Sequence, residues 1–152
     1  MTTLSWDDLL LQNLLNEDTK RCLDCWDNIG SETVHLLAAS RFGDFFLLNR
    51  NGSVNRLDII FGAWETIFNT HDEFIAAVNS QAWQEHNLFS MQILSAHSAG
   101  LIPGNRQVYA MVPHPRVNGG QLTFEGMQIM DITVAHHVYS QIIKQCGGIN
   151  VA

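Results

Sequence analysis

The sequence predicts an α+β fold, in which an antiparallel meander sheet is combined with N-terminal helices, a buried central helix and a C-terminal helix. Three observations lead to this class. Short apolar segments near the middle of the chain are joined by Asn51-Gly52, the strongest short-range signal for a β-hairpin. Segments with helical spacing of apolar residues precede and follow them. The two kinds of segment do not alternate as they would in a parallel βαβ arrangement.

The N-terminal region predicts two helices. The first is predicted over residues 5–16, where Ser5 can cap the helix. Its apolar face is formed by Leu9, Leu10, Leu14 and Leu15. A second helix is predicted from about Asp18 to Asn28. Gly30 follows it as the residue that ends the helix, because glycine tolerates the left-handed conformation found there.

The meander is predicted from three successive apolar segments, at residues 43–49, 53–61 and 64–68. Asn51-Gly52 joins the first two segments. We expect a type I′ turn at this point, which requires positive φ at both central residues.

A central helical region follows the meander. Thr70 and Glu73 form a capping box, which predicts a short helix that ends near Asn79. Residues 81–99 predict a longer helix, whose second half is apolar nearly all round and is therefore expected to be buried. Gly100 and Pro103 mark its end.

The C-terminal part predicts a strand at residues 107–112, a loop at 113–126 and a short strand at 127–130. The last helix begins at Asp131 as its N-cap and ends at Gly147. Its apolar face is predicted to consist of Ala135, Val138, Tyr139, Ile142 and Cys146.

Length and composition suit one compact unit, which we divide into a short helical N-terminal segment, residues 1–41, and an α+β domain, residues 42–152. The chain has 152 residues, of which 46% are apolar and only 15% are charged. The apolar content excludes a disordered chain. The low charge predicts a surface that is rich in neutral polar groups or is partly covered by a partner.

The charge balance is acidic and uneven. The net charge is −7, and residues 1–32 alone contribute −5. This balance disfavours direct binding of nucleic acid, which requires clustered Lys and Arg, and it leaves a basic protein partner open. No apolar segment approaches the length of about 20 residues that a membrane helix needs, and the acidic N-terminus is unlike a signal peptide. We therefore expect a cytoplasmic protein with reduced cysteines and no membrane contact.

Few motifs point to chemistry. Cys22-Leu23-Asp24-Cys25 lacks the second ligand pair of a zinc site, and His136 and His137 point about 100° apart on a helix, so we expect no metal and no cofactor. One of these two histidines is expected in the core. An enzymatic alternative remains, in which the His114 loop, with Glu125 and Asp131, forms an acid–base cluster of a small hydrolase.

Several short motifs follow one another in a fixed order over residues 42–146. They are Phe42-Gly43-Asp44-Phe45-Phe46-Leu47, Gly52-x-Val54-x-x-Leu57-Asp58, Asp72-Glu73-Phe74, Leu101-Ile102-Pro103-Gly104, Val108-Tyr109-Ala110-Met111-Val112-Pro113, Gly119-Gly120, Ile129-Met130-Asp131, His136, Gln141-Ile142 and Gln145. In this order they resemble the C-terminal domain family of type VI secretion DNase-immunity proteins. Cys22 to Gly30 resembles a remnant of the glutamate decarboxylase-associated-like part that precedes this domain in the family.

The resemblance implies a non-enzymatic binding protein that protects a bacterium by neutralising a nuclease toxin, and it supplies no catalytic residues. An acidic protein suits such a basic partner by electrostatic complementarity. We expect the acidic N-terminal third, with its tryptophans as apolar anchors, to bind the toxin. The candidate partner-binding residues are Trp6, Asp7, Asp8, Glu17, Asp18 and Trp26. The alternatives are the hydrolase above and an adaptor or oligomerisation module, for which a homodimer is possible.

Overall fold

A computed structural model describes residues 3–151 and confirms the α+β class. A six-stranded sheet has the order β1-β2-β3-β4-β5-β8, and β6 and β7 form a separate antiparallel pair. Within the larger sheet all neighbours are antiparallel except β5 and β8. The strands are β1 (Leu10–Leu11), β2 (Thr33–Ser40), β3 (Phe45–Asn49), β4 (Val54–Asp58), β5 (Ala63–Phe68), β6 (Gln107–Ala110), β7 (Gln128–Asp131) and β8 (Asn150–Val151).

Six α-helices accompany the strands within residues 3–151. They are α1 (Trp6–Leu9), α2 (Asn16–Asp24), α3 (His71–Val78), α4 (Gln81–Asn87), α5 (Ser90–Ser98) and α6 (Ile132–Gln145). None of the helices in this range combines the length and the apolar character that crossing a bilayer requires.

The sheet separates two apolar clusters, because successive side chains of a strand point to opposite faces. Phe46 lies in a cluster with residues of α1, α3 and α5. We call the helices α3, α4 and α5 on this face the α3–α5 layer. Phe45 and Leu47 lie in a second cluster with residues of α2 and α6, which we call the α2/α6 layer. Since both faces of β3 are covered, its first four residues, 45–48, are all apolar instead of alternating with polar residues.

The hairpin between β3 and β4 is confirmed, but the predicted type I′ turn is wrong. Leu48 pairs with Val54, and the N–H of Asn49 donates to the carbonyl of Ser53 over 2.9 Å. This register leaves three residues in the loop. Within the loop only Gly52 has positive φ, at 87°, so the connection is a type I turn followed by a left-handed glycine.

The predicted first helix is much shorter than expected. α1 ends at Leu9, and Leu10 and Leu11 form a strand that pairs with Ser40 and Ala39 of β2. Pairing at the sheet edge prevails over helical spacing, because it buries Leu10 in one apolar cluster and Leu11 in the other. The proposed boundary between residues 41 and 42 stays a prediction, and the β2–β3 pairing joins residues on either side of it.

The predicted helix over residues 81–99 is divided into α4 and α5. Phe89 adopts a left-handed conformation with φ 55°, which interrupts the helix. Its ring packs against Phe42 and Phe124, with centroid distances of 5.1 and 5.3 Å, and these contacts hold the interruption in place. α5 buries only one face, so Met91, which was expected inside, is 53% exposed.

The C-terminal helix begins after Asp131, as predicted, and the Asp131 carboxylate accepts a hydrogen bond from the N–H of Thr133 over 2.8 Å. Its buried face is rotated from the predicted one. His136 and Ser140 are fully buried with hydrogen-bond partners, whereas Val138 lies outside at 37% exposure. Apolar spacing alone missed this rotation, because two polar side chains belong to the inward face.

Candidate partner-binding surface

The first three candidate residues lie on α1, against the α3–α5 layer. Trp6 is 41% exposed and Asp7 is exposed beside it. The carboxylate of Asp8 accepts a hydrogen bond from the N–H of Ser5 over 2.7 Å, and its other oxygen lies 3.9 Å from Nε2 of His97 on α5. Trp6 and Asp7 are therefore available to a partner, and Asp8 is half-buried.

The other three candidates lie on or just after α2, against α6. Glu17 is exposed, but Asp18 is only 2% exposed, with its Oδ1 3.3 Å from the guanidinium of Arg106. Trp26 is 6% exposed, and its indole Nε1–H donates to Nδ1 of His136 over 3.0 Å. Asp18 and Trp26 thus hold the fold together and do not face a partner. The structure does not bring the six candidates together on one surface.

Three of the six arginines are committed to internal contacts. The guanidinium of Arg41 donates to the backbone carbonyls of Asp7, Gly104 and Gln107. Arg56 bonds the buried carboxylate of Asp44 over 2.9 Å. In the same way, Arg116 donates to the carbonyls of Phe61, Gly62 and Cys146.

Acidic side chains dominate the exposed charge. The exposed acidic residues are Asp7, Glu17, Asp24, Asp27, Glu32, Asp72, Glu73, Glu85 and Glu125, whereas the exposed basic residues are Lys20, Arg21, Arg50, Arg106 and Lys144. Two of these basic residues are paired at the surface, Lys20 with Asp24 and Lys144 with Asp27. These surface ion pairs contribute little to stability, but they offset acidic charge in the N-terminal third.

The α3–α5 layer contains no Lys or Arg that could offset its acids. No Lys or Arg occurs between Arg56 and Arg106, and this interval contains all of α3, α4 and α5. Its exposed acids are Asp72, Glu73 and Glu85. This interval without Lys or Arg is readable directly from the sequence, although the predicted acidic N-terminal third does not include it.

Two clefts adjoin α5 and meet at Met91. One, of about 490 Å³, lies between α5 and residues 124–127 and is lined by Met91, Gln92, Leu101, Phe124 and Met127 among others. The second, of about 380 Å³, lies among α1, α4 and α5 and includes Leu4, Glu85 and Met91 in its lining. Met91 therefore lies between the two clefts.

The predicted acid–base cluster around His114 is not formed. His114 is buried, its Nδ1 accepts the N–H of Arg116 over 3.1 Å, and its Nε2 lies 3.0 Å from the carbonyl of Ile59. Since Nδ1 accepts, Nε2 carries the proton and donates to that carbonyl. Burial lowers the pKa of His114, and both ring nitrogens are bonded to backbone. Asp131 is engaged by Thr133 and Arg106 instead.

Other ionisable groups in the interior also have structural contacts. His136 is fully buried between Trp26 and the carbonyl of Gly43, which lies 2.7 Å from Nε2, and burial lowers the pKa of His136 to about 4. It is the core histidine that the sequence predicted, and His137 is exposed. Cys22, Cys25 and Cys146 are free thiols, and burial raises the pKa of the Cys22 thiol. Over residues 3–151, no three His, Cys, Asp or Glu side chains gather closely enough to hold a metal ion.

No family model and no curated protein matches the chain. Among solved structures it is similar to Atu4351 from Agrobacterium tumefaciens, with 16% sequence identity and a TM-score of 0.49. The similarity covers 82% of this chain and 63% of that one, so the chain spans less than two thirds of the length of its structural neighbour.

Proposed function

We propose that this protein is an immunity protein, which binds a basic nuclease toxin of a type VI secretion system in the cytoplasm and blocks it. The proposal starts from the resemblance of the ordered motifs over residues 42–146 to the immunity-protein domain family. The observation that carries it is the acidic, partly apolar surface, on which exposed acids outnumber exposed bases while Arg41, Arg56 and Arg116 are used internally.

This distribution suits a protein partner better than nucleic acid. Phosphate binding requires clustered exposed Lys and Arg, and the exposed basic side chains here are few. A nuclease must itself present basic groups to DNA, so an acidic surface complements the region that the toxin uses. Exposed apolar side chains such as Trp6 and Met91 supply the desolvated contacts that dominate binding energy at protein interfaces.

The hydrolase alternative is less well supported, because the His114 ring has no free nitrogen with which to accept a proton from a substrate. An adaptor or a homodimer would use the same exposed surface. A second copy would however bring like charges together, since the net charge of each chain is −7.

The test is co-expression with the nuclease encoded by an adjacent reading frame. We expect cells that express the nuclease to survive when this protein is present and to die when it is absent. Inhibition of the purified nuclease should be complete near one molecule of this protein per toxin, since a binding protein acts stoichiometrically.

Two results would count against the proposal. Equal killing with and without the protein, together with no complex at micromolar concentration, excludes the immunity function. Protection at a small fraction of the toxin concentration would indicate turnover, and the hydrolase alternative would then replace binding. A catalytically inactive nuclease serves as the control for toxicity that is unrelated to its activity.

A further inference from the structure

Met91 stands out among the exposed apolar side chains because of its surroundings. It is 53% exposed on α5, and it lines both the cleft of about 490 Å³ and the cleft of about 380 Å³. We call Met91 with these two clefts the Met91 surface. Methionine is flexible and polarizable, and it is enriched at protein interfaces, where it adapts to the shape of a partner.

The charge around the Met91 surface has one sign. Glu85 lines the smaller cleft, and the exposed Glu125 lies between Phe124 and Gly126 of the larger one. Within residues 3–151, no Lys or Arg lines either cleft. The Met91 surface is therefore apolar at its centre, with an acidic side chain beside each cleft.

One residue that lines the larger cleft also carries an unsatisfied polar atom. Gln92 contributes to the lining, and within residues 3–151 its buried Oε1 has no hydrogen-bond partner. A buried amide oxygen without a donor is costly, so an N–H group supplied by a bound molecule would be favourable there after a small side-chain adjustment.

From these observations we infer that the Met91 surface is the docking site for a segment of the toxin that carries apolar side chains flanked by Lys or Arg. The apolar side chains fill the clefts on either side of Met91, and the basic side chains meet Glu85 and Glu125. This inference rests on the proposed function, and it moves the principal contact from the N-terminal third to α5. A second copy of this chain is disfavoured because its acidic rim would meet an identical one.

The experiment compares two lysine substitutions on opposite faces of the molecule. Met91→Lys places a charge at the centre of the Met91 surface. Val134→Lys is the matched control, because Val134 is 48% exposed on α6, in the other helical layer. The binding partner is the catalytically inactive nuclease from the adjacent reading frame, and its dissociation constant is measured for both variants and for the unmodified protein.

We expect Met91→Lys to weaken binding at least tenfold and Val134→Lys to change it less than twofold. Methyl NMR of methionine gives an independent readout that needs no substitution. On addition of the nuclease, the signals of Met91 and Met127 should shift or broaden, and that of Met111, which is 2% exposed in the core, should not.

The outcomes separate this inference from the proposed function. If the unmodified protein binds and Met91→Lys binds equally well, with the Met91 signal unchanged, the toxin docks elsewhere and only this inference fails. If the unmodified protein forms no complex at micromolar concentration, both fail. If the Met91 signal responds to protein concentration alone, the surface belongs to a homodimer and the inference is overturned.

Discussion

Both helical layers pack on the sheet through apolar side chains, but the α2/α6 layer adds hydrogen bonds among buried polar groups, whereas the α3–α5 layer adds a cluster of aromatic rings. In the first, Trp26 donates to His136, and the hydroxyl of Tyr139 accepts the N–H of Met111 over 2.8 Å. In the second, Phe46 packs against Phe74 and Trp83 with centroid distances of 5.4 and 5.7 Å.

The two layers also differ in what they leave exposed. The α2/α6 layer offsets acids with bases, as in the pair of Lys144 with Asp27, whereas α3, α4 and α5 contain no Lys or Arg. The α3–α5 layer borders both clefts of the Met91 surface. We propose that the α2/α6 layer mainly fixes the fold, whereas the α3–α5 layer packs on the sheet and also serves a partner.

The largest expected effect is on stability, from loss of Trp26. Trp26→Ala should lower the free energy of unfolding by about 3–5 kcal/mol, because it removes a buried indole and leaves a cavity. Trp26→Phe should cost about 1–3 kcal/mol, because the acceptor nitrogen of His136 stays buried without its donor. Urea denaturation measures both.

Trp83→Phe is the matched control in the other layer, because the Trp83 ring is half-buried and packs on aromatic side chains. We expect this variant to lose less stability than Trp26→Phe. An equal loss in the two variants would show that the layers are not held in different ways.

Acid should weaken the α2/α6 layer through His136. Burial lowers the pKa of His136 from 6.5 to about 4, so between these values the unfolded chain binds a proton that the folded protein does not. The free energy of unfolding therefore falls as the pH drops through this window, by up to roughly 3 kcal/mol from this group. Above pH 7 both states are unprotonated, and His136 adds no pH dependence.

Denaturation at a series of pH values, together with NMR titration of the ring, tests this expectation. His137→Gln is the control, since His137 is the exposed neighbour on the same helix, and its stability curve should follow that of the unmodified protein. A ring of His136 that titrates near pH 6.5 in the folded protein would contradict the structural role assigned to it.

The smallest expected effect is on the rate of association with the toxin. Neutralising Asp72, Glu73 and Glu85 together, as Asn, Gln and Gln, should slow association several-fold at low salt, because long-range attraction steers the encounter. Neutralising Asp7, Glu17 and Asp24 should slow it less. Raising the salt from about 50 to about 500 mM should remove the difference by screening. If neutralising Asp7, Glu17 and Asp24 slowed association more than neutralising the other three, the acidic N-terminal third would be the main docking region.

Local signals predicted most of the fold. Asn51-Gly52, the Thr70 cap and the Asp131 cap each act over a few residues, and the structure has a hairpin or a helix start at each of them. The errors arose where distant contacts decide. Leu10 leaves the predicted helix to pair with Ser40, and Phe89 interrupts another helix to pack on Phe42 and Phe124.

The candidate surface was harder to predict than the fold. Charge counting identified an acidic N-terminal third, but exposure depends on tertiary contacts that composition does not contain. Asp18 pairs with Arg106 and Trp26 with His136, more than eighty residues away in each case, so both are buried. The sequence predicts Met91 in a buried helix. In the structure, the interruption at Phe89 limits the burial of α5 to one face. The sequence does not predict this interruption, because it depends on side chains that are distant along the chain.

Hydrogen exchange of the unmodified protein, with and without the bound nuclease, tests the distinction between the two layers most directly. We expect slower amide exchange on binding in α4, in α5 and in residues 122–127, which surround the Met91 surface. Exchange in α2 and α6 should be unchanged. Protection confined to α2 and α6, with α5 unaffected, would contradict the assignment of binding to the α3–α5 layer.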